Sequence, residues 1–319
     1  MPSQNPEGHL RRFEPAHDAD AVVKLVEEAF NLKKDPEGQA MLRQMRSENS
    51  RPLQNPTIHL VTGGTEGFVW EVDGRIVGNI SLLPFQSGLK PIILIANVAV
   101  DKQWQGRGIG TELTRHALRV ARQRPFSEIW LQVRSDNTRA IQIYWTLGFH
   151  LVSSLTQWRK PARETAPKPN FRKYEGVLFR SRLADWSLQE SWLAQAYPKQ
   201  TRWYANFDFN LLKPLAWLNP FNWVDLMNLN THCLRSSDKL LAAVTHQQTP
   251  RRGDRLWMAV DKPKSDDGRV ATLLGAFLEN QWDGVELSLE YPVGWAAAAM
   301  AQAGFIARRD LDWMRFEAK

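Results

Sequence analysis

The sequence predicts a mixed α/β fold (an α+β mixed sheet) built twice in tandem. Three observations carry that prediction. Apolar residues switch between strand and helix spacing along the first half. One strand candidate, Pro91–Val100, is apolar almost throughout, which implies cover on both faces. Short motifs then recur at a near-constant offset: Ala259-Val260-Asp261-Lys262 follows Ala99-Val100-Asp101-Lys102 by 160 positions, and Ala303-Gly304-Phe305 follows Leu147-Gly148-Phe149 by 156.

The elements follow in order. His9–Phe13 reads as a strand. Asp18–Phe30 reads as a helix with Val22, Val23, Val26 and Phe30 on its apolar face and Asp18 as the candidate cap. Gly67–Val72 and Arg75–Leu83 flank Asp73-Gly74, the composition of a two-residue hairpin turn. After the strand Pro91–Val100 comes a helix over Gly108–Arg122, stopped at Pro125. A strand Glu128–Val133, a helix Thr138–Leu147 and a strand from Phe149 complete the half. Arg159–Asn170 holds three prolines and few apolar residues, and reads as a linker. The expected domains are therefore 1–160 and 173–319, joined by 161–172. In the second half, helix Val270–Asn280, strand Val285–Leu289 and helix Trp295–Ala303 repeat the earlier order, and Leu178–Arg180 lies over Leu10–Arg12.

Chemistry concentrates in Asn97–Thr111. A buried strand leads into a glycine-rich turn, and the turn opens a helix. Glycines let successive backbone N–H groups face one concavity, and the helix start adds unsatisfied donors and partial positive charge. Such a site takes a diphosphate. Neither the Gly-x-Gly-x-x-Gly dinucleotide fingerprint nor a Gly-Lys-Ser/Thr loop ending is present, which argues against NAD and ATP.

Gln105-Gly106-Arg107-Gly108-Ile109-Gly110 matches the Gln/Arg-x-x-Gly-x-Gly/Ala signature of the GNAT acyltransferase superfamily. Asn137, Tyr144 and Gly148-Phe149 follow in the order that family uses, and the chain resembles it from His9 to Trp158. The resemblance implies an N-acetyltransferase that moves an acetyl group from acetyl-CoA to an amine by direct attack, with both substrates bound and no metal. It implies that Val98, Ala99 and Val100 bind the pantetheine arm along the strand. Gln105, Gly106, Arg107, Gly108, Ile109, Gly110 and Thr111 would hold the diphosphate. Asn137 would bond the pantetheine amide, and Tyr144 would protonate the leaving thiolate. A phenol of pKa about 10 is protonated at neutral pH and can donate to a thiolate of parent pKa about 8.5. The alternative for Tyr144 is a core aromatic beside Ile141, Ile143 and Trp145. Arg139 is either a contact for the ribose phosphate or a solvated cation. A general base is not evident: Ile92–Val100 has no carboxylate, and Glu71 reads as a solvated residue beside the hairpin turn. A non-catalytic acyl-CoA-binding or scaffolding protein is the alternative reading.

The second copy keeps the order but not the chemistry. Gln105, Gly106, Arg107 and Gly110 correspond to Ser265, Asp266, Asp267 and Val270, and only Gly108 keeps a counterpart, Gly268. Asn137 corresponds to Val293 and Tyr144 to Met300. Two carboxylates repel a diphosphate, so the C-terminal repeat is expected to be degenerate. Nine of the 14 tryptophans lie after Lys160, so the halves differ in character. The aromatic run Arg202–Phe209, with Trp217, Phe221 and Trp223, reads as core and interdomain packing, with an acceptor pocket as the alternative.

Composition narrows the class. Hydrophobic residues are 43% and charged residues 24% of 319, as in ordinary globular chains. Cys233 is the one cysteine, which excludes an intrachain disulfide framework and a cysteine-based zinc cluster. As a nucleophile paired with His232 it is a lesser possibility than a small buried hydrophobe. The net charge of +7 comes without runs of like charge, so no nucleic-acid partner is indicated. No apolar run reaches about 18 residues and the N-terminus is polar, so no membrane association and a cytoplasmic location are expected. The assembly is left as monomer or homodimer.

Overall fold

The computed structural model describes residues 8–34, 38–39, 42, 66–87, 90–124, 128–162, 179–180, 182–205, 207–249 and 253–317. Pro125, Leu178, Asn206 and linker residues 163–172 lie outside them. The chain forms two compact units that interleave in sequence. The first holds Met1–Val133, Asn137–Val152 and Trp313–Lys319; the second holds Arg134–Asp136 and Ser153–Asp312. The sequence-based cut at 161–172 puts residues 313–319 with the second repeat, whereas packing puts them with the first unit.

In the first unit the elements are β1 (His9–Arg12), α1 (Pro15–Ala29), β2 (Glu66–Val72), β3 (Arg75–Ser87), β4 (Lys90–Val100), α2 (Ile109–Arg122), β5 (Glu128–Arg134) and α3 (Thr138–Thr146). They are followed by the start of β6 (Phe149–Lys160), and the end of β12 (Ile306–Phe316) joins them. The strands run β1-β2-β3-β4-β5 and then β12, with β1 to β4 antiparallel and β4 parallel to β5. Asp73 and Gly74 turn the β2–β3 hairpin with φ of 48° and 75°, the paired positive values that match strand twist.

α2 buries Ile109, Leu113, Thr114, Ala117, Leu118 and Ala121, which recur at helical spacing and form its inner stripe. They pack with Phe68, Trp70, Ile80, Leu82, Ile93 and Ile95. Val69 and Ala99 point the other way, to Val22, Val23 and Val26 of α1. The sheet is thus covered on both faces, as the apolar run of β4 requires. Met314 completes the α2-side core. Nearby, Trp313 meets Trp130 at 6.5 Å and Glu317 N–H donates to the Gly148 carbonyl.

α1 starts three residues before the expected Asp18. Pro15 suits a first-turn position, where no N–H is needed. Asp18 instead reaches back from inside the helix to accept from the Glu14 N–H at 2.8 Å.

The second unit comprises the rest of β6, β7 (Phe179–Arg180), α4 (Trp186–Ala196), α5 (Trp223–Leu226), β8 (Leu229–Ser236), β9 (Lys239–Gln247), β10 (Asp254–Ala259), α6 (Gly268–Asn280), β11 (Leu287–Pro292), α7 (Ala297–Gln302) and the start of β12. Its strands run β6-β11-β10-β9-β8-β7, and β10 lies parallel to β11. β8 and β9 form an antiparallel hairpin. Cys233 lies fully buried within it, which removes Cys233 as a nucleophile.

Candidate functional site

β4 and β5 pair in parallel from Ile92↔Glu128 to Ile95↔Leu131. The ladder ends there, while β4 continues to Val100 against β3 alone. Between the pairs Ser81↔Ala96 and Asn79↔Ala99, β3 has one residue and β4 has two, Asn97 and Val98. This is a β-bulge, which bends the strand and re-aims its groups. Asn97 takes φ of 53°, a conformation asparagine tolerates better than most residues. The amide of Asn79, only 2% exposed, donates to the Asn97 carbonyl at 2.9 Å and braces the bend. Asn79 was missed by sequence reasoning. Its signal was a lone amide in the apolar stretch Ile76–Leu83.

Beyond Val100, Asp101 caps a single turn over Lys102–Trp104 by accepting from the Gln103 N–H. Gln105 donates through Nε2 to the Val100 carbonyl at 3.0 Å, tying the turn to the end of β4. Gly106 and Gly108 have φ of 89° and 84°. A side chain there would be strained whatever the space, by about 1–2 kcal/mol. Yet the space is open: a Cβ on Gly108 would meet nothing within 4 Å, and one on Gly106 would meet only the Arg139 guanidinium at 3.7 Å. Gly108 is the N-cap of α2, and Glu112 N–H is the first to bond back to its carbonyl. Ile109, Gly110 and Thr111 therefore supply the unsatisfied first-turn amides that every helix start carries. Ile109 is 1% exposed and anchors the helix to the sheet. Arg107 lies over the Trp104 ring at 4.4 Å.

The remaining candidates sit on α3. Asn137 is its exposed N-cap, with Oδ1 accepting from the Ala140 N–H, so Nδ2 is the side-chain donor it has to offer. Tyr144 is 6% exposed, in contact with the Phe149 ring at 6.1 Å. Burial pushes its phenol up to about 12. Glu71 is no solvated turn residue: it accepts from Arg11 Nε at 2.6 Å, and the same guanidinium holds Asp18. Among the described residues no group of three or more His, Cys, Asp or Glu is placed to hold a metal ion. No described helix is long and apolar enough to cross a membrane.

The second unit repeats the short parallel pairing and the following helix start, without the bulge or the positive-φ glycines, and fills the place with its own groups. β10 and β11 pair only over Asp254↔Leu287 and Arg255↔Ser288. Met258, the counterpart of Val98, donates its N–H to the Tyr197 hydroxyl at 3.1 Å, and Tyr197 is buried among Phe209, Trp257 and Tyr291. At the start of α6 the Asp267 carboxylate accepts from the Arg269 N–H and pairs with its guanidinium at 2.7 Å. That hydrogen bond holds the Asp267 carboxyl below the usual range against the opposing effect of burial. Ala296 and Ala299 donate to the carbonyls of Lys264 and Ser265, so the loop is stitched to the start of α7. A carboxylate and a phenol thus stand where the first unit offers an open turn and a strand edge.

The aromatic run divides. Phe207 stacks on Trp257 at 4.6 Å and Phe209 is buried, whereas Trp217, Phe221 and Trp223 are exposed.

An acetyltransferase (GNAT) family model matches residues 26–149. Mycothiol acetyltransferase of Saccharomonospora viridis is 30% identical over 154 residues, 48% of this chain and 49% of its own length. The mycothiol acetyltransferase of Jonesia denitrificans is 29% identical over 168 residues, 51% and 50% of the two chains. The chain spans about half the length of the curated relatives it matches. A GCN5-related N-acetyltransferase structure from Sphaerobacter thermophilus aligns with a TM-score of 0.52 at 15% identity, over 96% of this chain and 94% of that one, which shows a shared fold. The glycine turn opening α2, the parted parallel strands and the match to the acetyltransferase (GNAT) family model all fall within residues 26–149.

Proposed function

We propose that the chain is an acetyl-CoA-dependent N-acetyltransferase with its site in the first unit. One observation carries the reading: two positive-φ glycines open α2 beside the point where β4 parts from β5, and Gln105 joins the two features. The residues suit coenzyme A. The turn is open above Gly106 and Gly108, Gln105–Thr111 contains no carboxylate, and the Arg139 cation lies alongside.

In this reading Gln105, Gly106, Arg107, Gly108, Ile109, Gly110 and Thr111 hold the diphosphate, chiefly through main-chain N–H groups at the positive end of α2. Val98, Ala99 and Val100 bind the pantetheine arm through their backbone along the strand edge that β5 leaves. Asn137 adds its Nδ2 donor. Acetyl-CoA supplies an acyl thioester to an amine held in the same complex, so that attack is intramolecular in effect. Tyr144 keeps its proton through the neutral range because it is buried, and holds that proton for the departing sulfur. Asp267 and Tyr197 occupy the corresponding places of the second unit, which supports a single coenzyme site per chain.

The test is release of free CoA thiol from acetyl-CoA by the full chain with a panel of primary amines. Amine-dependent release is expected. Binding of CoA without release under any amine would make the chain a non-catalytic acyl-CoA binder.

A further inference from the structure

Among the described residues a dense group of exposed apolar side chains lies outside the residues of the candidate site. Within 11 residues of the second unit, between β7 and β8, Trp217 is 58% exposed, Leu218 59%, Phe221 91%, Trp223 58%, Val224 74% and Met227 81%. These residues fall on two single helical turns, Ala216–Leu218 and Pro220–Asn222, on α5, and on Met227 just after it. The segment is held in one shape by its own polar groups. Trp223 Nε1 donates to the Trp217 carbonyl at 2.8 Å, Asn222 Nδ2 to the Ala216 carbonyl at 2.9 Å, and Asn219 caps the Phe221 N–H. A surface fixed in this way loses little freedom when it is covered.

We infer that this surface docks onto a second copy of the same chain, forming a two-fold dimer. Size is the first argument. From their fractional exposure the six side chains leave on the order of 900 Å² open, given full areas of roughly 150–250 Å² for the large ones. Monomers rarely expose a contiguous apolar patch beyond about 600 Å², and each partner of a stable pair buries about 800 Å². Composition is the second argument. Tryptophan, phenylalanine and methionine are enriched at the centres of interfaces while charges are depleted there. The third is self-complementarity. The exposed charges of the stretch are one cation, Lys213, before it and one anion, Asp225, towards its end. A two-fold axis through the patch allows Lys213 of each copy to meet Asp225 of the other, so the interface is neutral and self-complementary in charge. The same pair argues against a lipid surface, because stable attachment there takes a cluster of cations or a second anchor.

The test is sedimentation equilibrium of the full chain from about 1 to 100 µM, a range that brackets micromolar dissociation. Wild type is expected at twice the chain mass. Phe221→Glu combined with Met227→Glu is expected at the single-chain mass with an unchanged circular dichroism spectrum, since both side chains are largely in solvent. Wild type at single-chain mass throughout would overturn the inference, as would a double mutant that stays paired. Pelleting of single-chain wild type, but not the mutant, with phosphatidylserine vesicles would assign the surface to lipid instead. The proposed acetyl transfer does not enter any of these outcomes.

Discussion

Tyr144 shows how far a single residue could be read in advance. Its place in the order Asn137, Tyr144, Gly148-Phe149 was visible, and burial was left open as the core-aromatic alternative, because burial depends on Phe149 and a core assembled from distant strands. If Tyr144 is the proton donor, Tyr144→Phe is expected to lower kcat by about 10²–10⁴ with the Kd for CoA changed less than about twofold. An unchanged kcat removes it from the mechanism. The raised pKa also has a consequence for stability. Between pH 10 and about 12 the folded chain keeps a proton that the unfolded chain has lost, so stability falls as pH rises through that window. Melting curves of Tyr144→Phe are expected to lack this component.

Asn79 acts through its neighbour rather than on substrate. Asn79→Leu keeps the volume and removes the donor that braces the Asn97 carbonyl. On the proposed binding mode it is expected to weaken CoA about tenfold, as the loss of a buried hydrogen bond of about 1–3 kcal/mol allows. Affinity for 3′,5′-ADP, which lacks the pantetheine arm, is expected to be unchanged in a parallel titration. Equal loss of both ligands would assign Asn79 to folding alone.

At the scale of elements, local signals were legible and non-local ones were not. The Asp73-Gly74 turn, the strand β4 and the start of α2 at Gly108 follow from residue types within a few positions, and each is observed as expected. The beginning of α1 was misplaced because Asp18 looks like a cap in sequence, whereas Pro15 begins the helix and Asp18 serves Glu14 from within. The bulge at Asn97 depends on register with β3, and no spacing within β4 announces it.

The two helix starts, α2 and α6, differ: Gly108 at positive φ precedes α2, whereas an extended Asp267 caps α6 through its side chain. Asp267 supplies at α6 a negative charge that the turn Gln105–Thr111 before α2 lacks. Asp267→Ala is expected to cost about 1 kcal/mol of cap stability, seen as a lower Tm, with no change in CoA affinity. Because Arg269 holds that carboxyl below its ordinary pKa, the stabilisation is present at neutral pH and is lost as pH falls through the acid range. A large fall in CoA affinity in this variant would place coenzyme on the second unit.

Over the whole molecule, the recurrence of short motifs at offsets of 160 and 156 was legible. The exchange of the last strand was not. Residues 313–319 complete the first unit through Trp313 against Trp130, Met314 in the core and Phe316 against Phe149 at 5.6 Å. Pairing across so long a loop leaves no local trace. The aromatic wealth of the second half was visible as composition, yet its division between a core about Tyr197 and the exposed surface about Phe221 needed the fold.

The central claim is that one turn per chain grips coenzyme A. Calorimetric titration of the full chain with CoA tests it most directly. One site per chain is expected, with affinity reduced at least tenfold when Gly106 and Gly108 are both changed to alanine, because a strain of about 1–2 kcal/mol at each positive φ drives the turn out of the conformation that presents its amides. Absence of heat, two equivalent sites, or undiminished binding by the double alanine variant would contradict the account.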